Sequence, residues 1–173
     1  MSDIMVRPET PEDVRAIDVV NLSAFEGDRE ARLIDALRRS PSFVPELSLV
    51  AEFNGRIVGH LLLSKVELRR REQIIDLLEL GPMSVVPSQS HRGIGTILIE
   101  TAINQARERG FKAIVEVGQA NYYTRFNFEP AAKWGLSCNL PVPDDAITAI
   151  ELESGVLNGG GHVIYPPQFN QLY

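Results

Sequence analysis

Cysteine is nearly absent from this sequence, since Cys138 is the only one among 173 residues. A lone cysteine cannot form an intramolecular disulfide, so nothing in the sequence requires an oxidising compartment. Long apolar runs are also missing: none approaches the roughly 18 residues of a membrane-spanning helix. Residues 1–15 lack the apolar segment of a signal peptide. Together these absences predict a cytoplasmic domain.

Basic residues are in the minority. The 17 lysines and arginines face 23 aspartates and glutamates, which gives a net charge of −6. Proteins that bind nucleic acid or anionic membranes usually carry basic surfaces, so neither partner is expected. The patterns Cys-x-x-Cys and His-Glu-x-x-His are absent as well, which predicts no metal site.

The periodicity of the first half predicts helices followed by a β-meander, within one domain over residues 1–173. A short strand at residues 4–7 precedes a helix that Thr10 caps, and a second helix is expected over residues 29–39. Asn54-Gly55 then indicates a hairpin, because both residues tolerate a positive φ. The three predicted strands of the meander lie at residues 47–53, 56–69 and 74–86.

The second half predicts a parallel crossover. A helix over residues 93–109 ends at Gly110 and leads through a short connection to an apolar strand over residues 111–117. The predicted fold class is therefore α/β (α+β), with a mixed, mostly antiparallel central sheet, one parallel strand–helix–strand crossover and helices on both faces. A short helix at residues 122–126 and late strands at 147–153 and 162–165 complete the prediction.

A polar, glycine-bearing loop joins the third meander strand to the long helix. The start of a helix attracts anions, because its first amides have no intrahelical acceptor and the helix dipole is positive there. Gly93 and Gly95 lack a Cβ, so a phosphate can approach the backbone, and His91 and Arg92 can add side-chain donors. The same glycines can instead serve only to shape the strand-to-helix turn.

A dinucleotide-binding loop is an alternative interpretation of this segment. Gly93 and Gly95 begin the required pattern, but Leu98 stands where a third glycine is wanted. Glu116 follows about twenty residues later, where a ribose-binding acid is expected, so the alternative stays open.

The order of elements, together with two motifs, resembles the GNAT superfamily of acetyl-CoA-dependent N-acetyltransferases, and most of all its bacterial YhbS-like branch. The first motif is the family's Gln/Arg-x-x-Gly-x-Gly/Ala loop, matched by Ser90-His-Arg-Gly93-Ile-Gly95. The second is an aromatic segment ending in Gly-Phe, matched by residues 118–128. The resemblance covers nearly the whole chain.

Two positions depart from the family pattern. Ser90 stands where the family usually has Gln or Arg, and Asn127 stands where it usually has Gly. Asn tolerates the left-handed backbone conformation, which makes the second change mild. The first change removes a long polar side chain, but phosphate contacts in such loops are mostly made by backbone amides, so pyrophosphate binding is expected to survive.

The resemblance implies a binding site for acetyl-CoA. The pantetheine arm would lie where the strand around residues 83–85 splays from the strand at residues 114–117. A backbone amide near Val85 would stabilise the developing oxyanion, and the loop that follows would take the pyrophosphate. The residues expected to bind the cofactor are Met83, Ser84, Val85, His91, Arg92, Gly93, Ile94, Gly95, Thr96 and Tyr122.

The resemblance also implies the catalytic groups. Tyr123 lies four residues before Asn127, which is the spacing of the family's tyrosine acid, and would protonate the departing CoA thiolate. Tyr122 could instead pack on the cofactor. The base that deprotonates the amine is left open between Glu79 and Glu116, acting directly or through a water, because strand register is not fixed by the sequence. Either carboxylate could equally be an outward-facing strand residue.

The implied function is direct transfer of an acetyl group to a primary amine of a small molecule, a peptide or a protein. The alternative is a catalytically weak GNAT-fold module that binds acyl-CoA as a sensor or interaction subunit. Acceptor specificity is expected to come from residues 11–40 and 135–165, where loops vary most within such folds. The resemblance also allows a homodimer, to which residues 168–173 could contribute.

Overall fold

The strands of the computed structural model, which describes residues 3–173, join in a single mixed sheet. They are β1 (Met5–Pro8), β2 (Phe43–Phe53), β3 (Arg56–Arg69), β4 (Ile74–Val85), β5 (Ala113–Val117), β6 (Glu129–Pro130), β7 (Leu136–Cys138), β8 (Ile147–Glu151) and β9 (Gly161–Ile164). The main path through the sheet is β1-β2-β3-β4-β5-β8-β6, and β9 pairs with both β3 and β7.

Helices cover both faces of this sheet. The α-helices are α1 (Val14–Ala24), α2 (Arg29–Arg38), α3 (Ile94–Glu108) and α4 (Ala120–Tyr123). Thr10 begins the first helical region as predicted, through a 3-10 turn at Pro11–Asp13 that leads into α1. The Thr10 amide donates to Asp13 Oδ2 at 2.7 Å, and Asp13 also pairs with Arg7 at 2.7 Å. Such a cap satisfies amides that have no partner in the helix.

The β-meander is confirmed, with one strand longer than predicted. Asn54 (φ 53°) and Gly55 (φ 75°) turn the chain between β2 and β3 with the positive φ values that the hairpin needs. β2 begins at Phe43 rather than near Leu47, because Phe43 still pairs with Ser64 beyond a register shift. Pro45 and Glu46 concealed this extension, since they break the alternation expected of a strand.

The fold class and the crossover are confirmed. β4 pairs with β5 in parallel, α3 connects them, and most other strand pairs are antiparallel. A second parallel pair, β7 with β9, was not predicted; β7 has only three residues, too few for a periodic signal. This mixed topology is not the open parallel sheet of a dinucleotide-binding domain, and Leu98 is buried in the core, so that alternative is wrong.

Two apolar layers sandwich the sheet. One contains Leu33 and Leu37 of α2 with Tyr165 and Phe169, and the other packs α3 and α4 against the opposite face. Burial of each large apolar side chain contributes about 1.5–3 kcal/mol, so these layers fix the strands between which the site lies. Within residues 3–173, no helix has the length and apolar character needed to cross a membrane.

Candidate active site

β4 and β5 separate near the middle of the sheet. They pair only at Leu78–Ile114 and Glu79–Val115, and beyond that point β4 follows β3 alone. Opposite β3, the register shifts where Gly81 and Pro82 face the single residue Leu62. A bulge of this kind bends its strand, and a gap opens beside residues 83–85, where the family resemblance implied one.

Met83 and Val85 turn their peptide groups toward this gap. Val86 N donates to Val58 O at 2.8 Å, and Gly59 lies opposite Val85. Antiparallel residue pairs alternate between hydrogen-bonded and non-hydrogen-bonded positions, so the N–H and C=O groups of Met83 and Val85 point away from β3. They face the side that β5 has left and are open to a ligand there.

The loop after β4 delivers the start of α3 to the same gap. Gly93 adopts a left-handed conformation (φ 74°) that other residues reach only with strain, and it turns the chain into the helix. A Cβ on Gly95 would lie 3.1 Å from Tyr122 Oη and 3.5 Å from Met83 Cε. The backbone at the helix start, whose first amides lack intrahelical acceptors, is therefore held close to both side chains.

A cavity of about 600 Å³ joins the gap to the start of α3. Most of the predicted site residues line it, and they are Met83, Ser84, Val85, Gly93, Gly95, Thr96, Tyr122, Tyr123, Glu79 and Glu116. Ser90 lines it as well, although its hydroxyl donates to Pro87 O at 3.0 Å.

Three predicted cofactor-binding residues do not line the cavity. Ile94 is 1% exposed and packs into the core, because its side chain occupies the buried face of α3. Arg92 donates to Gln89 Oε1 at 2.5 Å, and its guanidinium lies 4.6 Å from the centre of the Phe53 ring. His91 is exposed in the turn before the helix.

Tyr123 is a buried phenol at the cavity wall. It is 4% exposed, and its ring packs edge-on against Tyr122 with ring centres 5.1 Å apart. The ring of Phe128 packs against it at a tilt, with ring centres 5.3 Å apart. Burial, together with the nearby charges of Glu116 and Glu79, raises the pKa of Tyr123 above its ordinary value. The hydroxyl therefore keeps its proton at physiological pH and can donate it to an acceptor in the cavity.

The two candidate bases project from opposite faces of the sheet. Glu79 lies opposite Val115 in the parallel pair, so both side chains face α2, whereas Glu116, one residue further on, faces α3. Tyr165 Oη donates to Glu79 Oε1 at 2.5 Å, and full burial raises the pKa of Glu79 well above its usual range. Burial therefore disfavours the ionised form of Glu79.

Glu116 has a different environment. Its Oε1 accepts a hydrogen bond from Gln119 N at 3.0 Å, and its Oε2 accepts one from Thr148 Oγ1 at 3.4 Å. Burial raises the pKa of Glu116 to about 7, against the opposing effect of these donors. A carboxylate that titrates near neutrality at a cavity wall is suited to proton transfer.

A buried chain of hydrogen bonds supports β4 from the side of α1. Ser84 Oγ donates to Asn21 Oδ1 at 2.9 Å, and Asn21 Nδ2 lies 3.5 Å from His60 Nδ1. His60 Nε2 lies 2.9 Å from Ser48 Oγ. Burial, with a further effect of Arg38, lowers the pKa of His60 to about 3, so the ring is neutral. This chain ties α1, β3 and β4 together at the cavity wall.

Several cavity residues were not singled out in the sequence. Phe25 and Glu30 come from the helical region where acceptor specificity was expected, whereas Phe169 and Tyr173 lie beyond the late segment that was named for it. Arg125, whose guanidinium lies 5.0 Å from the centre of the Tyr122 ring, lines the cavity next to α4. These residues meet only through tertiary packing and carry no local motif.

Among residues 3–173, no group of three or more His, Cys, Asp or Glu side chains is placed to hold an ion. The site consists of backbone amides, two tyrosines and buried carboxylates.

Comparisons with known proteins agree with this geometry. The Acetyltransferase (GNAT) family model matches residues 14–128. The chain is 30% identical over 170 residues to the uncharacterized N-acetyltransferase YhbS of Escherichia coli, covering 97% of this chain and 99% of that protein.

Solved structures of full-length relatives show the same fold. The E. coli YhbS structure in complex with CoA has a TM-score of 0.92 at 28% identity and covers 100% of this chain and 95% of that one. A GNAT family acetyltransferase from Brucella melitensis in complex with acetyl-CoA has a TM-score of 0.77 at 28% identity, covering 98% and 99%. The family model spans most of the chain and the YhbS relative nearly all of it, and the chain therefore belongs to the GNAT family of acetyltransferases.

Proposed function

We propose that the protein transfers an acetyl group from acetyl-CoA directly to a primary amine of a small molecule or peptide, in the cavity between β4 and β5. The observation that carries the proposal is the free edge of β4: the peptide groups of Met83 and Val85 face a cavity that ends at the first amides of α3. Two relatives of similar length were solved with CoA and acetyl-CoA.

The residues present fit this cofactor. Amides at Gly93, Gly95 and Thr96 lie at the positive end of α3 and suit a pyrophosphate. The free N–H and C=O groups of Met83 and Val85 can pair with the pantetheine amides as an added strand does. The short side chain of Ser90 does not remove these backbone donors, so its departure from the family pattern is compatible with binding.

Bound acetyl-CoA supplies an acetyl group already activated as a thioester. Glu116 accepts the proton that the amine nitrogen loses, directly or through a water, because its pKa of about 7 lets it ionise at working pH. The Val85 N–H stabilises negative charge on the carbonyl oxygen. Tyr123 donates its proton to the departing sulfur and regains one from solvent. The C–N bond forms as the C–S bond breaks, and no protein atom is acylated.

Thermal unfolding with acetyl-CoA, CoA and NAD added separately tests cofactor binding. A ligand at a hundred times its Kd stabilises by about 2.7 kcal/mol, which for a chain of this size raises Tm by roughly 5–11 °C. We expect this shift with acetyl-CoA and CoA but not with NAD. A protein that unfolds at the same temperature with and without either CoA species would refute the proposal.

One alternative is a catalytically weak module that senses acyl-CoA: Ser90 departs from the family pattern at the cavity, and its hydroxyl is bonded to Pro87 O. Such a module would show the thermal shift but would release no CoA when amines are added. Amine-dependent release of the CoA thiol therefore separates the enzyme from the sensor.

A further inference from the structure

The cavity wall differs sharply in character between its two sides. Next to α4 it carries Arg125, the only basic side chain lining the cavity within residues 3–173. Where α1, α2 and the turn at Pro167–Gln171 contribute, the wall is acidic and aromatic. The residues there are Phe25, Glu30, Phe169 and Tyr173, with Glu79 on the same face of the sheet.

Glu30 carries an unsatisfied oxygen at this wall. Its Oε1 is shielded from solvent and has no hydrogen-bond partner among the described residues. Glu79, which is 4% exposed, uses Oε1 for Tyr165, and its Oε2 has no partner within residues 3–173. A buried carboxyl oxygen without a partner is costly, so Glu30 Oε1 is matched to a ligand that brings N–H donors.

Glu30 and Glu79 both line the cavity, as does Tyr173. Burial and then the charges of Glu79, Glu116 and Glu30 raise the pKa of the Tyr173 hydroxyl above its ordinary value. Aromatic surface lies beside them: Phe169 is 3% exposed and packs edge-on against Tyr165, with ring centres 5.1 Å apart. Aromatic rings next to carboxylates form a favourable surface for an ammonium on an apolar body.

From this arrangement we propose that the acceptor is a primary amine on an apolar ring or chain that carries no carboxylate, and that Glu30 selects it by binding its ammonium group on entry. The inference rests on the proposed acetyltransferase activity and specifies its acceptor. An amino acid would bring its own carboxylate to the side of the cavity away from Arg125, where the described lining residues include glutamates but no basic residue, so amino acids are disfavoured by repulsion.

Matched pairs that differ only in a carboxylate test the acceptor class. We would compare phenethylamine with phenylalanine, and pentylamine with norleucine, as substrates with saturating acetyl-CoA. We predict a kcat/KM at least tenfold higher for each amine than for the amino acid paired with it. Equal or faster acetylation of the amino acids would overturn the inference.

Glu30→Gln tests the proposed contact, with Glu26→Gln as its control. Glu26 is an exposed residue in the segment between α1 and α2 and does not line the cavity, so its replacement changes charge nearby without touching the wall. A lost charge-assisted hydrogen bond is expected to raise the KM for phenethylamine about tenfold in Glu30→Gln. The KM of Glu30→Gln for acetyl-CoA should stay unchanged. Every kinetic constant of Glu26→Gln should stay unchanged as well.

Binding without turnover separates this inference from the proposed function. Phenethylamine alone should raise the Tm of the wild type and of Glu26→Gln, and it should raise the Tm of Glu30→Gln much less. This result does not depend on whether the protein binds acetyl-CoA. Failure of acetyl-CoA to stabilise the protein would count against the acetyltransferase proposal. Stabilisation by phenethylamine that survives Glu30→Gln in full would count against the role of Glu30.

Discussion

Tyr165 donates its phenolic hydrogen to Glu79 across 2.5 Å, in a fully buried contact beneath the cavity. This contact distinguishes Glu79 from Glu116, the two candidate bases between which the sequence did not decide. Desolvation raises the pKa of Glu79 so far that the hydroxyl of Tyr165 only partly offsets it. Glu116, held by the Gln119 amide and Thr148, titrates near neutrality. The structure thus favours Glu116 as the group that changes charge during turnover.

The pH dependence of acetyl transfer should report on Glu116. We predict that kcat/KM rises with pH through an apparent pKa of about 7, because the ionised carboxylate is the active form. Glu116→Gln should lower kcat by about 10²–10⁴ and remove this acidic limb. Steady-state kinetics between pH 5 and pH 9, with one amine varied at saturating acetyl-CoA, would measure both effects.

Glu79→Gln is the matched variant, since Gln keeps an oxygen that can accept from Tyr165. It should retain the acidic limb and most of kcat. If Glu79→Gln instead abolishes the limb while Glu116→Gln preserves it, then the roles assigned to the two carboxylates are reversed.

Burial of Glu116 should also make the free energy of unfolding depend on pH. Below its ordinary pKa of 4.5 the group is protonated in both the folded and the unfolded chain, so burial costs no ionisation energy. As pH rises from 4.5 to about 7, the unfolded chain ionises first and stability falls, and above 7 the loss is constant. The loss amounts to about 3 kcal/mol.

Glu116→Gln cannot ionise and should escape this loss. Urea unfolding at several pH values would then show the stability of the wild type falling relative to the variant between pH 4.5 and 7, and parallel curves outside that range. A gap between the two proteins that is independent of pH would show that the carboxyl is not held at a raised pKa.

Tyr123→Phe should separate chemistry from binding. The ring packs against Tyr122 and Phe128, and Phe preserves that packing, so stability should change by less than about 1 kcal/mol. Loss of the proton donor should lower kcat by about 10²–10⁴ with little change in the Kd for acetyl-CoA. Tyr122→Phe, which removes the hydroxyl nearest Gly95, is the comparison variant and should keep most of kcat. The reverse pattern would make Tyr122 the acid.

Asn21 is expected to hold the cavity strand in place. Asn21→Ala removes the acceptor for Ser84 Oγ and leaves polar atoms buried without partners, which should cost about 1–3 kcal/mol and raise the KM for acetyl-CoA. Ser64→Ala is the control for loss of a buried polar group. Ser64 lies on β3 and is buried like Asn21, but its hydroxyl has no partner, so its loss should be neutral or stabilising. Equal effects of Asn21→Ala and Ser64→Ala would argue against a positioning role.

Local sequence signals predicted the meander, the crossover and the loop into α3 with small errors. Asn54-Gly55, Gly93 and Gly110 mark these turns because each adopts a positive φ that few residues tolerate. Asn127 also has a positive φ (69°), which explains why it can replace the family's glycine.

The rest of the site depends on contacts that are distant in sequence. Glu79 and Tyr165 meet across the sheet although 86 positions separate them, and no local pattern announces this pair. The faces of the sheet from which Glu79 and Glu116 project could be assigned only once the register of β4 on β5 was known. Ile94 fits the family loop, yet its side chain lies in the core because helical periodicity decides its direction.

Amine-dependent release of CoA by the wild type and by Gly95→Ala tests the central claim most directly. A methyl group at Gly95 would meet Tyr122 Oη at 3.1 Å, at the helix start where the cofactor phosphates are proposed to bind. The account predicts release that requires both acetyl-CoA and amine, with the KM for acetyl-CoA raised about tenfold in Gly95→Ala at nearly unchanged kcat. No release by the wild type, or identical KM values in the two proteins, would contradict it.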